Sequence, residues 1–119
     1  MSARFDLVTL DAPDPATLAA FWRAALDLAV IEREDGDRWQ VLGHPDGRRV
    51  LGIQRGAARP GGVHLDLACT PERFTTEVQR LVTLGATVVV PVRVEAYGSI
   101  ANLADPAGYA FDLCAYAAG

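Results

Sequence analysis

Lysine is absent from this chain of 119 residues, and all 11 basic side chains are arginine. They are scattered and outnumbered by 15 acidic residues, leaving a net charge of −4. No basic surface for nucleic acid or an anionic membrane is therefore expected. Cysteine is scarce as well. Cys69 and Cys114 make no metal-binding or redox spacing and read as inert buried thiols in a reducing compartment. No apolar run approaches the roughly 20 residues a membrane-spanning helix needs, and Met1 to Asp6 lack the apolar stretch of a secretory signal. A cytoplasmic protein is expected. A glycine-rich phosphate loop, a nucleophile elbow and a Cys–His cluster are all missing, which removes several enzyme classes.

What is present is apolar and repetitive. Half of the residues are hydrophobic, enough for one folded domain over 1–119 with a single core. The Arg- and Ala-rich usage resembles that expected from a GC-rich bacterial genome. Leu42-Gly43-His44-Pro45-Asp46-Gly47, followed by Val50, Leu51 and Ile53, returns as Leu103-Ala104-Asp105-Pro106-Ala107-Gly108, followed by Phe111 and Leu113. Val8-Thr9-Leu10-Asp11 returns as Val63-His64-Leu65-Asp66. Two copies are too few for a solenoid and read as halves that pair and enclose a cavity.

The pattern predicts a strand over 4–11, then a helix with Asp14 as N-cap, Pro15 in its first turn and Leu18, Phe21, Trp22, Ala25 and Leu26 as its buried stripe. Strands follow at 28–34, 38–43 and 48–55, and Gly56 to Gly62 form the linker. The second half repeats the order, with a strand at 62–69, then Thr70 as N-cap and Pro71 at the first helical position. Phe74, Val78, Leu81 and Val82 form that helix's stripe, Gly85 closes it, and strands follow at 86–94, 98–104 and 109–116. Module one spans about 4–55 and module two about 62–117. The expected fold is α+β: two tandem βαβββ modules forming a cupped eight-stranded mixed sheet, with the helices on its outer face.

Alternation along a strand places His64 and Asp66 on one face and Leu65 and Leu67 on the other. The leucines must meet the helix, so His64 and Asp66 look toward the cavity, as do Thr9 and Asp11. Asp112 faces the same way with Ala110 and Cys114. A carboxylate beside an imidazole favours its protonated form and orients it, which suits acid–base work or ligand hydrogen bonding. Alternatively Asp11 and Asp66 cap or pair at the seam between the modules. Trp39 with Gln40, Tyr97, Tyr116 and Asn102 add the aromatic and amide lining common in small-molecule pockets. Residues 92–99 form either a lid or an ordinary loop, and His44 sits in a solvated turn.

The repeat, together with Val63-His64-Leu65-Asp66-Leu67, Leu84-Gly85-Ala86 and the segment Asp105-Pro106-x-Gly108-Tyr109-x-Phe111-Asp112-Leu113, resembles the vicinal oxygen chelate superfamily of glyoxalase I, bleomycin-resistance proteins and extradiol dioxygenases. The chain looks like one of its short glyoxalase-like members. That resemblance implies a cupped sheet, a homodimer and, in the metal-using members, His, Gln or Glu ligands from the first and last strands of each module. Asp112 falls at the last-strand ligand position, whereas its first-module counterpart, about Leu51, has no donor. The first-strand positions fall on Leu7 and Gly62 or, two residues on, on Thr9 and His64. The quartet is broken in both registers, so no cofactor is expected, and a divalent metal, if present, would rest on His64 and Asp112. The expected function is metal-free binding of an aromatic or polycyclic metabolite or antibiotic, like the bleomycin-resistance branch. Its negative charge suits a neutral or cationic guest. The alternative is a glyoxalase-like lyase or isomerase, related to the dioxygenases, with His64 as general acid or base oriented by Asp66 or Asp112. Thr9, Asp11, Trp39, Gln40, Tyr97, Asn102 and Cys114 would contact the ligand.

Overall fold

The computed structural model describes residues 5–61 and 63–116. Arg4, Gly62 and position 117, which bound the expected modules, lie outside the described residues. Two compact units divide between Arg59 and Pro60. Each is a βαβββ module, and together they give an α+β protein with two helices and two four-stranded mixed sheets. No helix among the described residues is long and apolar enough to cross a membrane.

In the first unit, β1 (Val8–Ala12), α1 (Pro15–Leu26), β2 (Ala29–Glu34), β3 (Trp39–Gly43) and β4 (Arg49–Arg55) follow in order. The sheet order is β1-β4-β3-β2, with β1 and β4 parallel and the remaining pairs antiparallel. Asp14 starts α1 as expected: its carboxylate accepts from the Thr17 amide at 3.3 Å and the Thr17 hydroxyl at 2.6 Å. Leu18, Ala19, Phe21, Trp22 and Ala25 recur at helical spacing and are buried, as are Leu10, Leu42, Leu51 and Ile53 on the sheet face they cover. Phe21 and Trp22 meet edge to face, with ring centroids 5.0 Å apart.

The second unit repeats the plan with β5 (Leu65–Ala68), α2 (Phe74–Leu84), β6 (Thr87–Glu95), β7 (Gly98–Ala104) and β8 (Ala110–Tyr116), in the order β5-β8-β7-β6. Three details differ from the sequence pattern, the first being that Val82, expected in the buried stripe of α2, is 43% exposed. Thr70 makes no side-chain cap bond, and Pro71–Arg73 form a single 3₁₀ turn before α2 begins at Phe74. β5 is shorter than expected, so His64 immediately precedes it. Gly85 ends α2 with φ of 127°, a conformation that favours glycine. Phe74 and Leu81 of α2 are buried, as are Phe111, Leu113, Ala101 and Leu103 of the sheet.

The duplicated turn repeats in its hydrogen bonds. His44 N–H donates to Arg48 O and Gly47 N–H to His44 O; in the second unit Asp105 N–H donates to Tyr109 O and Gly108 N–H to Asp105 O. In the second copy the buried Asp105 carboxylate also accepts the amides of Ala107 and Tyr109, each at 2.9 Å. An oxygen-bearing side chain at that position thus locks the turn that launches β8.

Residues 92–99 are mostly strand rather than an irregular loop. β6 runs to Glu95 and β7 begins at Gly98, so the segment is the tip of a hairpin. β6 is an edge strand that exposes Val89 and Val94, interrupted by Pro91 and two irregularities in its pairing with β7. Those features oppose further strand addition along this edge.

Candidate functional site

The second sheet gathers the chemistry. In β8, Phe111 and Leu113 point into the core, so Asp112, Cys114 and Tyr116 share the opposite face. Asp66 of β5 stands beside Asp112 in the parallel register, and Asn102 of β7 stands beside it on the other side. His64 reaches over this row: its Nε2 lies 3.3 Å from Asp66 Oδ1 and 3.5 Å from Asp112 Oδ2. The Asp66 side chain is 63% exposed and that of Asp112 only 18%. The imidazole is therefore bracketed by one solvated and one largely enclosed carboxylate.

Asp112 is itself held from behind. Asn102 donates its amide to Asp112 Oδ1 at 2.6 Å, and Arg93 donates to Asn102 Oδ1 at 2.7 Å. Arg93 also donates to Pro91 O at 3.1 Å and lies 3.8 Å from Glu95. The chain Arg93–Asn102–Asp112–His64 is thus continuous from the edge strand to the imidazole. No sequence pattern marks Arg93, since its place beside Ile100 depends on the irregular β6–β7 register.

Aromatic surface adjoins these groups. Tyr97 and Tyr116 stack at a tilt, centroids 6.3 Å apart, and both are about half exposed. The Tyr116 hydroxyl is pushed above the usual phenol range, first by its hydrogen bond with Cys114, with Asp66 and Tyr97 adding to the effect. Cys114 is buried, and burial also pushes the Cys69 thiol up, with Glu77 and Cys114 contributing.

The first unit carries the other expected residues. Thr9 and Asp11 project from β1 away from the Leu10 and Ala12 side, and Asp11 Oδ2 lies 3.4 Å from Arg59. The Trp39 ring covers Gly52: a Cβ there would sit 2.5 Å from the ring and 2.9 Å from Thr9 Oγ1. Trp39 Nε1 donates to Glu32 at 3.1 Å, and Arg49 links Glu32 with Asp6. Gln40 departs from the expectation. Consecutive strand residues face opposite ways, so Gln40 projects from the face opposite Trp39, beside Ile53 and toward α1. It does not join Trp39.

His64, Asp66 and Asp112 each offer one donor atom, all within 4.8 Å of one another. One imidazole nitrogen and two carboxylate oxygens at that spacing fit three positions around a divalent cation that prefers nitrogen and oxygen ligands. These residues would hold the ion, with Asn102 steering Asp112 as an outer partner. Of the two registers considered for the first-strand ligand, the one through His64 places a donor beside Asp112. Leu7 and Leu51 offer none, and Gly62 lies outside the described residues.

A family model for the glyoxalase-like domain matches residues 7–114. No curated protein matches the chain. Among solved structures, a glyoxalase/bleomycin resistance protein/dioxygenase family enzyme from Burkholderia phytofirmans PsJN is similar at TM-score 0.81 and 17% identity, over 97% of this chain and 100% of that one. The fosfomycin resistance protein FosX from Listeria monocytogenes, solved as a mutant with Mn(II) and dihydroxypropylphosphonic acid, is similar at TM-score 0.78 and 19% identity, over 98% and 92%. An oxidase, ChaP-H2, is similar at TM-score 0.71 and 21% identity, over 100% and 98%. At such identities the likeness is one of fold.

Proposed function

The chain belongs to the glyoxalase-like domain family, within the glyoxalase/bleomycin resistance/dioxygenase superfamily, and on that premise we propose that it binds a small organic molecule on the open face of its second sheet. The ligand's polar group meets His64, Asp66 and Asp112, and its aromatic portion lies against Tyr97 and Tyr116. The observation that carries this reading is the bracketed imidazole, with Nε2 3.3 Å and 3.5 Å from two carboxylates on a face turned away from the core. A sheet face serving structure alone has little reason to place two aspartates and an asparagine in one register row with a histidine reaching over it.

The function is sequestration, and a resident metal is not required for it. The imidazole already holds the two carboxylates together. Two of the three donors are more than half exposed, so an ion must displace their solvation and the imidazole–carboxylate contacts before it binds. When bound, such an ion would polarise a ligand oxygen.

One observation favours a second reading, a lyase or isomerase. The Arg93–Asn102–Asp112 chain orients the carboxylate that faces His64, as a general acid or base would need. Proton transfer beside a carbonyl is then the reaction class to test.

A thermal-shift screen of aromatic and polycyclic compounds, run on the wild type and His64→Ala, tests both. Sequestration predicts a compound that stabilises the wild type, stabilises His64→Ala less, and is recovered unchanged. Conversion of the compound, lost in His64→Ala, selects the enzyme. Equal stabilisation of both proteins removes His64 from the site.

A further inference from the structure

On the helix-covered side of the first sheet, a groove of about 270 Å³ opens between α1 and the β2–β3 edge. α1 lines it with Ala16, Ala19 and Arg23, one stripe of the helix, and the sheet lines it with the cross-strand pair Arg33 and Gln40. Asp37, from the β2–β3 turn, completes the rim.

Gln40 is the anomaly. It is only 3% exposed on a face otherwise built from Leu10, Leu42 and Ile53, and its side chain has no hydrogen-bond partner among the described residues. A buried primary amide without partners is costly in an apolar core. Yet among the described residues no side-chain nitrogen or oxygen is sealed from solvent without a partner. The polar end of Gln40 must therefore be turned to the groove it lines, where something other than protein satisfies it.

The charges around it have one sign to spare. The Asp37 carboxylate is held by the Arg55 guanidinium. Arg23 and Arg33 are exposed and form no ion pair among the described residues. Two uncompensated guanidinium forks beside an amide donor match the chemistry of an oxyanion, which guanidinium binds in bidentate fashion. The alanines provide a short apolar floor, and the volume admits a small ligand only.

We propose that this groove binds a small organic oxyanion, a carboxylate or phosphate monoester. Arg23 and Arg33 grip the anion, Gln40 donates to it, and the alanines of α1 receive a short apolar stem. The site is independent of the His64 group.

Isothermal titration of the full chain with inorganic phosphate, phenyl phosphate and benzoate tests the proposal. At least one probe should bind saturably, shift the Gln40 side-chain amide resonances, and bind at least tenfold more weakly to both Arg23→Gln and Arg33→Gln. His64→Ala should bind it as the wild type does. Stronger binding of phenyl phosphate than benzoate assigns a phosphate; the reverse order assigns a carboxylate. The two arginine variants change exposed residues, and their melting curves establish that they fold. No saturable binding of any probe, or binding indifferent to both arginine substitutions, overturns the proposal.

Discussion

Asn102 donates its side-chain amide to Asp112 at 2.6 Å, from the neighbouring strand and on the oxygen not engaged by His64. The hydrogen bond to a mostly enclosed carboxylate both stabilises the fold and aims the free oxygen. Asn102→Leu should lower unfolding stability by about 1.5–3 kcal/mol, the usual range for a hydrogen bond to a charged group. It should also reduce the ligand-induced thermal shift. Urea unfolding with an unchanged midpoint would contradict this.

The Trp39 ring occupies the space where a residue larger than glycine at position 52 would place its Cβ. The ring is anchored by its bond to Glu32 and has little freedom to retreat. Gly52→Ala should therefore destabilise the protein by about 1–3 kcal/mol, as overpacking does. It should also shift the tryptophan emission as the ring is displaced. Wild-type stability combined with unchanged emission would show that the ring yields freely.

Three donors with two exposed members should hold Mn(II) too weakly to survive desalting. After dialysis against Mn(II) and gel filtration, elemental analysis should find far less than one ion per chain. Retention of one ion per chain, abolished in Asp112→Asn, would overturn the weak-binding view and make the ion a resident cofactor.

The Asp14 carboxyl is held below its ordinary value of 3.8, first by the Thr17 hydroxyl and then by the Thr17 amide. With a depressed folded value the unfolded chain binds more protons in acid. The cap's contribution is present above the ordinary value and is lost as pH falls through the folded one. Asp14→Ala should lower the melting temperature at neutral pH, and the gap should close below the carboxylate range. Circular-dichroism melts across that range check it, and a gap that persists in strong acid would contradict it.

The resemblance between the halves was legible because it rests on local chemistry. Asp14 and Pro15 start a helix whatever surrounds them, the Pro–x–Gly turns reverse the chain, and alternating leucines must turn inward. The same alternation placed His64 and Asp66 on one face with Asp112. It also put Trp39 and Gln40 on opposite faces, although their adjacency in sequence invites grouping them. The failure of Thr70 to cap α2 was hidden because a 3₁₀ turn and a helical first turn use the same Pro71 signal.

Taken alone, the order of amino acids determined the two modules, their strands and helices, and which side chains leave the core, because backbone hydrogen bonding and apolar burial act at short range with fixed periods. Tertiary structure decided the partners. Strand register set Asn102 against Asp112 and Arg33 against Gln40, and β6 irregularities brought Arg93 to Asn102. Register is chosen by the packing of whole sheets against their helices, and residues far apart in the chain meet only when that packing is complete.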